Sequence, residues 1–391
     1  MCQVKFRPLS GLAMRICLVV AGATVSLSAA GPPASTPSTD SWSPKAAAAY
    51  LDYRETWWMG WPVAARDHDT FCVSCHTALP YALARPALHA ALGEDAPPPV
   101  ERKLLDNVTK RVRMWDAVKP FYTDQNRGPH KTAQSRGTES VLNALILASY
   151  DARSGTLSAD TRTAFDEMWA LQQTSGDLKG AWQWLQFDNE PFEAHDSDYY
   201  GAALAAVAVG VAPGGYIAEP VIQNKLGLLR DYLNREYAGQ SPINRAVLLW
   251  ASAKWPALLT RTRKETIIYD ILSEQRADGG WSLSSLAWTW RDWTPTTLVK
   301  LWWRSNATPL EPKSDGYATG LMIYALEKSG FSGDDPHLKR GLGWLERNQN
   351  KAEGRWPGYS LNNRVDPSSE MGHFMSDVGT AYAVLALTPN P

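Results

Sequence analysis

Two cysteines and a histidine stand close together in the segment Cys72–His76, which has the sequence CVSCH. The spacing Cys-x-x-Cys-His is typical of c-type haem attachment. Two thiols at this spacing can add to the two vinyl groups of one porphyrin, and the imidazole that follows can reach the iron. The segment therefore predicts a covalently bound haem c, with Cys72 and Cys75 as attachment residues and His76 as a metal ligand.

Three other kinds of site use the same residue types. A zinc site could combine Cys72, Cys75 and His76 with a fourth ligand, although zinc–thiolate sites commonly contain a second pair of cysteines. A thioredoxin-like dithiol has the same spacing but occurs in βαβ units, and strand patterns are scarce in this sequence. A structural disulfide would leave His76 without a role. Haem attachment is the favoured hypothesis, and the zinc site, the redox dithiol and the disulfide remain alternatives.

A haem iron bound to His76 has a second axial position, which His or Met fills in electron carriers. If the repeats described below close into a ring, the last repeat lies beside the first. The side chains that could then reach the iron are Met371, His373 and Met375 from the last repeat, and His195 from across the ring. We expect His373 to be the best candidate for a second metal ligand.

The N-terminus has the pattern of an export signal. Basic residues precede the apolar run Ile16–Ala29, which ends in small residues, so residues 1–30 are predicted to be a cleaved signal peptide. Translation could start at Met1 or at Met14. Residues 31–45 are rich in Pro, Ser and Thr and are predicted to form a disordered linker. The mature protein is therefore expected to be periplasmic or secreted.

The composition excludes several classes of protein. The chain of 391 residues has 39 Lys plus Arg and 40 Asp plus Glu, with a net charge of −1, which argues against nucleic-acid binding. No long apolar run follows the N-terminus, so no integral membrane span is expected after signal cleavage. The 18 Trp and 15 Tyr outnumber the 8 Phe, a bias that is common in clefts and cavities.

Residues 46–391 repeat one pattern: a helix end with Trp or Gln, a loop with Gly and Trp, a polar residue, and a helix of small residues. The second helices are predicted to start, at intervals of about sixty residues, at His76, Thr138, Asp198, Asn244, Asp315 and Asp377. A single pair of helices cannot bury its apolar face alone, so the six units must stack. This predicts an all-α array of helical hairpins that closes on itself, with the CxxCH motif in the first repeat.

The segment Gln275–Trp281, with the sequence QRADGGW, resembles the "QW" signature of the squalene–hopene cyclase and protein prenyltransferase superfamily. Weaker versions of this signature occur at Gln173–Trp182 and Gln349–Trp356. The resemblance extends over nearly all of residues 46–391 and implies an (α/α)6 toroid of six helical hairpins around a central cavity. Protein prenyltransferases carry zinc, but their Asp-x-Cys motif is missing here.

In such a toroid the second helix of each unit faces the axis, so its first residues gather around one mouth of the cavity. The polar residues expected there are His76, Glu139, Asp196, Asp198, Asp315 and Asp377. The sequence DSDY at Asp196–Tyr199 resembles the D-x-D-D motif of class II terpene cyclases, with Tyr in place of the last Asp. Asp377 and the residues after it are similar to the downstream half of that motif. The resemblance makes Asp198 and Asp377 candidate catalytic residues, and Asp315 is a third candidate because it is expected at the same mouth; otherwise each Asp caps its helix.

Two functions are compatible with these patterns. The favoured one is an exported c-type haem protein that transfers electrons or performs haem-based redox chemistry with a redox partner. The alternative is an apolar-ligand binder or a terpene-cyclase-like isomerase, in which the CxxCH motif is a structural or zinc site. Whether the protein is an enzyme stays open. The aromatic residues that could line a cavity for a small apolar ligand are Trp182, Trp184, Trp281, Trp288, Trp290, Trp293, Trp302, Trp303 and Trp356.

Overall fold

The structure is a computed structural model and describes residues 41–287, 313–362 and 365–388. The predicted signal peptide, residues 1–30, and residues 31–40 of the predicted linker lie outside the described residues; the last two residues of that linker, Pro44 and Lys45, already belong to the first helix. The first helix begins at Pro44, where the Ser43 hydroxyl accepts a hydrogen bond from the N–H of Ala46. A serine N-cap followed by proline is a strong helix start, which explains why the helix begins there.

The described residues are predominantly helical. Their α-helices are α1 (Pro44–Gly60), α2 (Ala78–Ala84), α3 (His89–Leu92), α4 (Pro99–Arg113), α5 (Asp124–Arg127), α6 (Lys131–Ser154), α7 (Ala159–Leu171), α8 (Ser197–Val211), α9 (Gln223–Arg235), α10 (Pro242–Lys254), α11 (Arg261–Ser273), α12 (Leu283–Leu286), α13 (Gly316–Lys328), α14 (Pro336–Asn348) and α15 (Phe374–Leu387). Short 3-10 helices span Arg85–Leu88, Tyr216–Ala218, Pro220–Ile222, Tyr237–Gly239, Pro256–Leu258 and Met371–His373. The strands β1 (Ala65–Arg66) and β2 (Thr70–Phe71) pair antiparallel, with Ala65 opposite Phe71.

Six helices form a closed inner ring within the described part of the chain. They are α2, α6, α8, α10, α13 and α15; each packs against the next, and α15 packs against α2. An outer layer consists of α1, α4, α7, α9, α11 and α14, which pack on the inner helices. Outer and inner helices alternate along the chain. This arrangement confirms the prediction of an all-α (α/α)6 toroid.

Helix α8 illustrates how an inner helix is covered on all sides. Helix α8 has the sequence SDYYGAALAAVAVGV, and its residues from Ser197 to Val209 are all buried. One face meets the outer layer and the other meets the ring interior, so an amphipathic stripe is absent. Small residues let the inner helices approach closely: a Cβ on Gly320 in α13 would lie 2.5 Å from the carbonyl carbon of Tyr382 in α15.

A recurring hydrogen-bonded arrangement, the Gln–Gly–Trp unit, joins successive outer helices. Its glutamine follows an outer helix and donates through Nε2 to its own glycine carbonyl and to a carbonyl at the start of the next outer helix. The donor residues with their two acceptors are Gln172 (Gly180 and Lys225), Gln275 (Gly279 and His337) and Gln349 (Gly354 and Ser43). The sequence analysis placed Gln173 in the first of these units; in the structure, the side chain of Gln172 makes the two hydrogen bonds instead.

The tryptophan of each unit anchors the loop to the outer helix that precedes it. Trp281 donates from its indole N–H to the carbonyl of Ile271 at 2.7 Å, and Trp182 and Trp356 do the same to Met168 and Leu345. The glycine adopts a left-handed backbone, with φ of 99° at Gly180, where a Cβ would lie 2.1 Å from the carbonyl oxygen of Leu228. Only glycine satisfies both conditions, which is why the motif repeats Gly before Trp.

The second inner helix begins earlier than the sequence suggests. Helix α6 starts at Lys131, whereas the repeat pattern predicts a start at Thr138. The residue before the helix is His130, with a φ of 67° and no side-chain cap, so the usual capping signal is missing. As a result, Glu139 lies inside α6 and not at its N-terminus.

Candidate functional site

The Cys72–His76 segment connects β2 to α2 and is fixed at both ends. Asn107 of α4 exchanges two hydrogen bonds with the backbone of Phe71, at 2.9 and 3.2 Å. The indole N–H of Trp58 donates to the Cys72 carbonyl at 2.7 Å. At the other end, the Ser74 hydroxyl accepts from the N–H groups of Thr77 and Ala78 and so satisfies the start of α2.

The two cysteines are free thiols in the interior. Cys72 and Cys75 are 6% and 5% exposed and are not joined by a disulfide. Burial raises the pKa of Cys72 to about 12 and raises the pKa of Cys75 well above its usual value. Redox dithiols have a lowered thiol pKa and an accessible sulfur, so this environment does not resemble theirs.

His76 is held in one tautomer by a chain of hydrogen bonds that crosses the ring closure. Its Nδ1 lies 2.9 Å from the Thr77 hydroxyl, and that hydroxyl donates to Asp377 Oδ2 at 2.8 Å. Because the only hydroxyl proton goes to the carboxylate, Thr77 accepts from His76 Nδ1–H. The lone pair of the imidazole is therefore on Nε2, which is the arrangement that metal-ligating histidines use.

Asp377 itself is held by the first helix. Its Oδ1 accepts from the Tyr50 hydroxyl and from Arg54 Nε, both at 2.7 Å, and Arg54 is also paired with Glu370. Burial raises the pKa of Asp377 to about 6, against the lowering effect of Arg54 and of its hydrogen-bond donors. Tyr50 and Arg54 are one helical turn apart on α1, so they reach the same carboxylate.

Aromatic rings enclose the imidazole of His76. The Phe374 ring stacks on it with centroids 3.9 Å apart, and Trp58 meets it edge-on at 5.0 Å. Trp57 and Trp61 stack on each other next to Phe374. Burial, with the charge of Arg54 as a second cause, lowers the pKa of His76 to about 3, so the ring is neutral at physiological pH.

Ring closure brings the last repeat beside His76, but the residue in contact is Phe374, one position after the expected His373. His373 is half-buried, and its Nδ1 is buried without a hydrogen-bond partner among the described residues. Burial lowers the pKa of His373. Met375 is buried and Met371 is 48% exposed, while His195 lies on the surface.

The three candidate catalytic carboxylates lie at the starts of inner helices, as expected, and each accepts hydrogen bonds from the protein. Asp198 accepts from the N–H of Trp184 and from Gln186 Nε2. Asp315 accepts from the N–H groups of Leu283 and Ala318. Asp377 belongs to the His76 chain. Burial raises the pKa of each of the three to about 6. Their oxygens fix loops and helix starts.

The other two acidic residues expected at the mouth also have protein partners. Glu139 is completely buried and forms an ion pair with Arg111, with 2.5 Å between Nε and Oε1. Asp196 accepts a hydrogen bond from Asn244 Nδ2 at 3.1 Å.

The described tryptophans of the predicted cavity pack between helix layers. Trp182, Trp184, Trp281 and Trp356 are fully buried, and their indole N–H groups bond to backbone carbonyls. The remaining ones, Trp288, Trp290, Trp293, Trp302 and Trp303, lie outside the described residues. Aromatic rings occupy the ring interior, where Tyr317 has its centroid 5.5 Å from Tyr382 and 5.6 Å from Phe192.

Open spaces among the described residues lie elsewhere. A cavity of about 200 Å³ at the start of α15 is lined by residues that include Arg355, Tyr359 and Ser376. A groove of about 500 Å³ runs along α14 and the ends of α13 and α15 and includes Trp42 and Lys328.

The sequence analysis overlooked Thr77, Tyr50 and Arg54. The signal that could have found the last two is their spacing of four residues on α1, whose other buried residues, apart from Glu55, are apolar. In the described part of the chain there is no group of three or more His, Cys, Asp or Glu placed to hold a metal ion. The same residues contain no helix that is long and apolar enough to span a membrane.

Comparisons with known proteins add little to this site. No protein-family model matches the chain, and no curated protein matches it. Among solved structures, the chain is similar to a glycosidase variant in complex with glucose, with 12% identity, 88% of this chain and 98% of that chain covered, and a TM-score of 0.47. The wild-type glycosidase matches with the same identity and coverage and a TM-score of 0.44. Both TM-scores are below 0.5, so the fold of this chain is assigned from its own helix contacts.

Proposed function

We propose that this chain is an exported c-type haem protein on a terpenoid-cyclase-like toroid, with haem c held by Cys72, Cys75 and His76. One observation carries the proposal: the hydrogen-bond chain from His76 Nδ1 through Thr77 to Asp377 leaves the Nε2 lone pair for a metal. This imidazole directly follows two free thiols at the spacing that haem attachment requires.

The residues at the site fit the group chemically. Each of the two free thiols can add its S–H across one vinyl group, so that a C–S bond forms, the vinyl becomes saturated and no atom is lost. The neutral imidazole of His76 matches a haem iron, and Trp58 and Phe374 supply the apolar surroundings that haem requires.

When bound, haem supplies one-electron chemistry at its iron. The protein's part is to hold the porphyrin, to orient His76 and to exclude water. The carboxylate of Asp377, acting through Thr77, raises the electron-donating power of the imidazole, as outer-shell carboxylates do for metal-bound histidines. The aromatic rings of Trp58 and Phe374 keep the imidazole fixed. A redox partner would receive or supply the electron.

Further features support the same proposal. The N-terminal signal pattern points to the periplasm or the cell exterior, where disulfide-permissive and oxidising conditions prevail. Three Gln–Gly–Trp units support membership of the squalene–hopene cyclase and protein prenyltransferase superfamily. His373 is our candidate for the second metal ligand, because its buried Nδ1 has no partner among the described residues and its neighbour Phe374 touches His76.

The test is a pyridine haemochrome assay on protein exported from cells that carry c-type maturation machinery. We expect one covalent haem per chain in the wild type and none in Cys72→Ala/Cys75→Ala. The matched control is His68→Ala, an exposed histidine beside the site, which should keep its haem. A colourless wild type would refute the proposal and make zinc analysis the next step. In haem-loaded protein, a His373→Ala spectrum that remains unchanged would exclude His373 as a ligand.

A further inference from the structure

Next to the Cys72 loop, two half-buried aromatic rings are surrounded by positive charge. The rings of Tyr122 and Phe187 meet edge to face with centroids 5.1 Å apart. The guanidinium groups of Arg66 and Arg127 lie 5.1 and 5.6 Å from the Tyr122 centroid. The ammonium of Lys131 lies 4.5 Å from the Phe187 centroid. We refer to these five residues as the cationic wall.

The three cations come from three separate elements. Arg66 is in β1, Arg127 ends α5, and Lys131 begins α6. Their convergence on one pair of rings therefore depends on the tertiary fold and is not a run of basic residues in the sequence. Six residues after Arg66 the chain reaches Cys72, so the wall adjoins the attachment loop.

None of the three cations forms an ion pair with a carboxylate within the described ranges. Arg66 donates through Nη1 to the carbonyls of Val63 and Ala65, and its Nε is buried without a hydrogen-bond partner there. Lys131 donates to neutral oxygens of Gln134 and Gln186. The buried carboxylate of Glu193 lies near Lys131 and offsets part of this positive charge. Three cations gathered on two aromatic rings still create a positive potential that attracts anions.

The wall is joined to the attachment loop through the two-stranded hairpin. Arg66 is opposite Thr70 and Ala65 is opposite Phe71, and the Cys72 N–H donates to the Ala64 carbonyl at 2.8 Å. The Phe187 N–H donates to the Glu193 carbonyl at 2.8 Å, so the loop that ends at Glu193 lies beside the wall. A ligand bonded at Cys72 would therefore start close to the strand that carries Arg66.

We propose that the cationic wall binds the carboxylate edge of a flat, dianionic tetrapyrrole, with its ring against Tyr122 and Phe187 and its carboxylates paired with Arg66, Arg127 and Lys131. This rests on the proposed function, because the tetrapyrrole is the haem attached at Cys72 and Cys75. The wall explains how the propionate groups of such a haem are neutralised in a protein with almost no net charge.

The first test measures the wall without covalent attachment. In the Cys72→Ala/Cys75→Ala background, tryptophan fluorescence quenching reports binding of zinc protoporphyrin IX, and its dimethyl ester serves as the uncharged probe. The triple variant Arg66→Gln/Arg127→Gln/Lys131→Gln should bind the diacid about tenfold more weakly and the ester unchanged. The control triple variant changes exposed cations away from the wall, Lys45→Gln, Lys103→Gln and Arg230→Gln, and should bind like the parent. Equal affinity of both triple variants for the diacid would overturn the proposal.

The second test uses the haem-loaded protein. The wall triple variant should keep its covalent haem, but its midpoint potential should fall relative to the control triple variant, because removing cations disfavours the reduced iron. Equal midpoint potentials of the wall and control triple variants would overturn the proposal that the cationic wall binds the carboxylates. A colourless wild type would instead refute the proposed function. The binding of zinc protoporphyrin IX to the wall and control triple variants would still show independently whether the cationic wall binds the carboxylates.

Discussion

Gln349 and Ser43 form a reciprocal pair of hydrogen bonds that joins the two ends of the ring. The Ser43 N–H donates to Gln349 Oε1 at 2.6 Å, and Gln349 Nε2 donates to the Ser43 carbonyl at 3.2 Å. In the other Gln–Gly–Trp units the glutamine reaches the next outer helix along the chain. Here it reaches the first helix, so the same local chemistry that links neighbours also closes the toroid.

Removal of this pair should destabilise the protein measurably. Gln349→Ala leaves backbone groups of Ser43 and Gly354 without partners, and we expect a loss of about 1–3 kcal/mol in the free energy of unfolding. Urea unfolding followed by tryptophan fluorescence measures it. Gln125→Ala, at an exposed glutamine of α5, should change stability by less than about 0.5 kcal/mol. Equal values for the two variants would mean that the pair contributes nothing to closure.

Thr77 should determine the tautomer of His76. In the haem-free Cys72→Ala/Cys75→Ala protein, two-bond ¹⁵N–¹H correlation spectra should show a protonated Nδ1 and an unprotonated Nε2. Thr77→Val keeps the shape of the side chain but removes the acceptor for Nδ1–H, so this preference should be lost. Thr56→Val, which removes an exposed hydroxyl on α1, should leave the tautomer as it is. A Thr77→Val spectrum identical to that of its parent would contradict the assigned direction of the hydrogen bond.

Two helical glycines should respond to alanine with opposite signs. At Gly320 the added methyl would meet backbone atoms of Tyr382 and Ala383 at 2.5 and 2.6 Å, and we expect a loss of about 1–3 kcal/mol or more. At Gly227 in α9 the methyl would meet no atom within 4 Å, and helix propensity should yield a gain of about 0.5–1 kcal/mol. Thermal or urea unfolding of both variants checks the contrast. Stabilisation by Gly320→Ala would show that α13 and α15 are not in close contact.

Glu167 should make the protein less stable as the pH rises. Burial, followed by the negative charge of Glu139, raises its pKa from 4.5 to about 8; Asp116 and Asp166 add repulsion, and Arg136 opposes it. The folded state therefore binds this proton more tightly than the unfolded state, so the unfolding free energy falls as the pH increases between these two values.

Glu167→Gln tests this dependence. It should stabilise the protein by on the order of 1 kcal/mol near pH 9 and have little effect near pH 5. The control is Glu265→Gln, at an exposed residue paired with Arg261 at 2.8 Å, which should change stability by less than about 0.5 kcal/mol at both pH values. The same shift at pH 5 and pH 9 in Glu167→Gln would argue against a protonated Glu167 in the folded state.

The features that the sequence predicts correctly are those that depend on local chemistry repeated along the chain. The Gly before Trp281 needs a left-handed backbone, and the glutamine before it bonds within the same loop, so each unit leaves its own mark. Where two glutamines are adjacent, as at Gln172 and Gln173, the sequence pattern is ambiguous, because only the fold decides which side chain faces the loop. The start of α6 at Lys131 was not predicted, because the preceding residue, His130, makes no side-chain cap.

The surroundings of His76 could not be predicted in the same way. Tyr50, Arg54 and Asp377 lie at opposite ends of the sequence and meet only because the ring closes. The cationic wall is similar: Arg66, Arg127 and Lys131 have unremarkable sequence neighbours, and their common position follows from how a hairpin and two helices pack. Long-range contacts of this kind leave no periodic trace in a single sequence.

The closure of the ring also sets an order of events in time. The repeat that carries Cys72 and Cys75 is synthesised long before Gln349 and Asp377, so the site stays open until the final repeat arrives. In the closed ring the two thiols are 6% and 5% exposed. Any group that becomes bonded to them has to be attached during that interval, and the rate at which the last repeat docks limits how long the opportunity lasts.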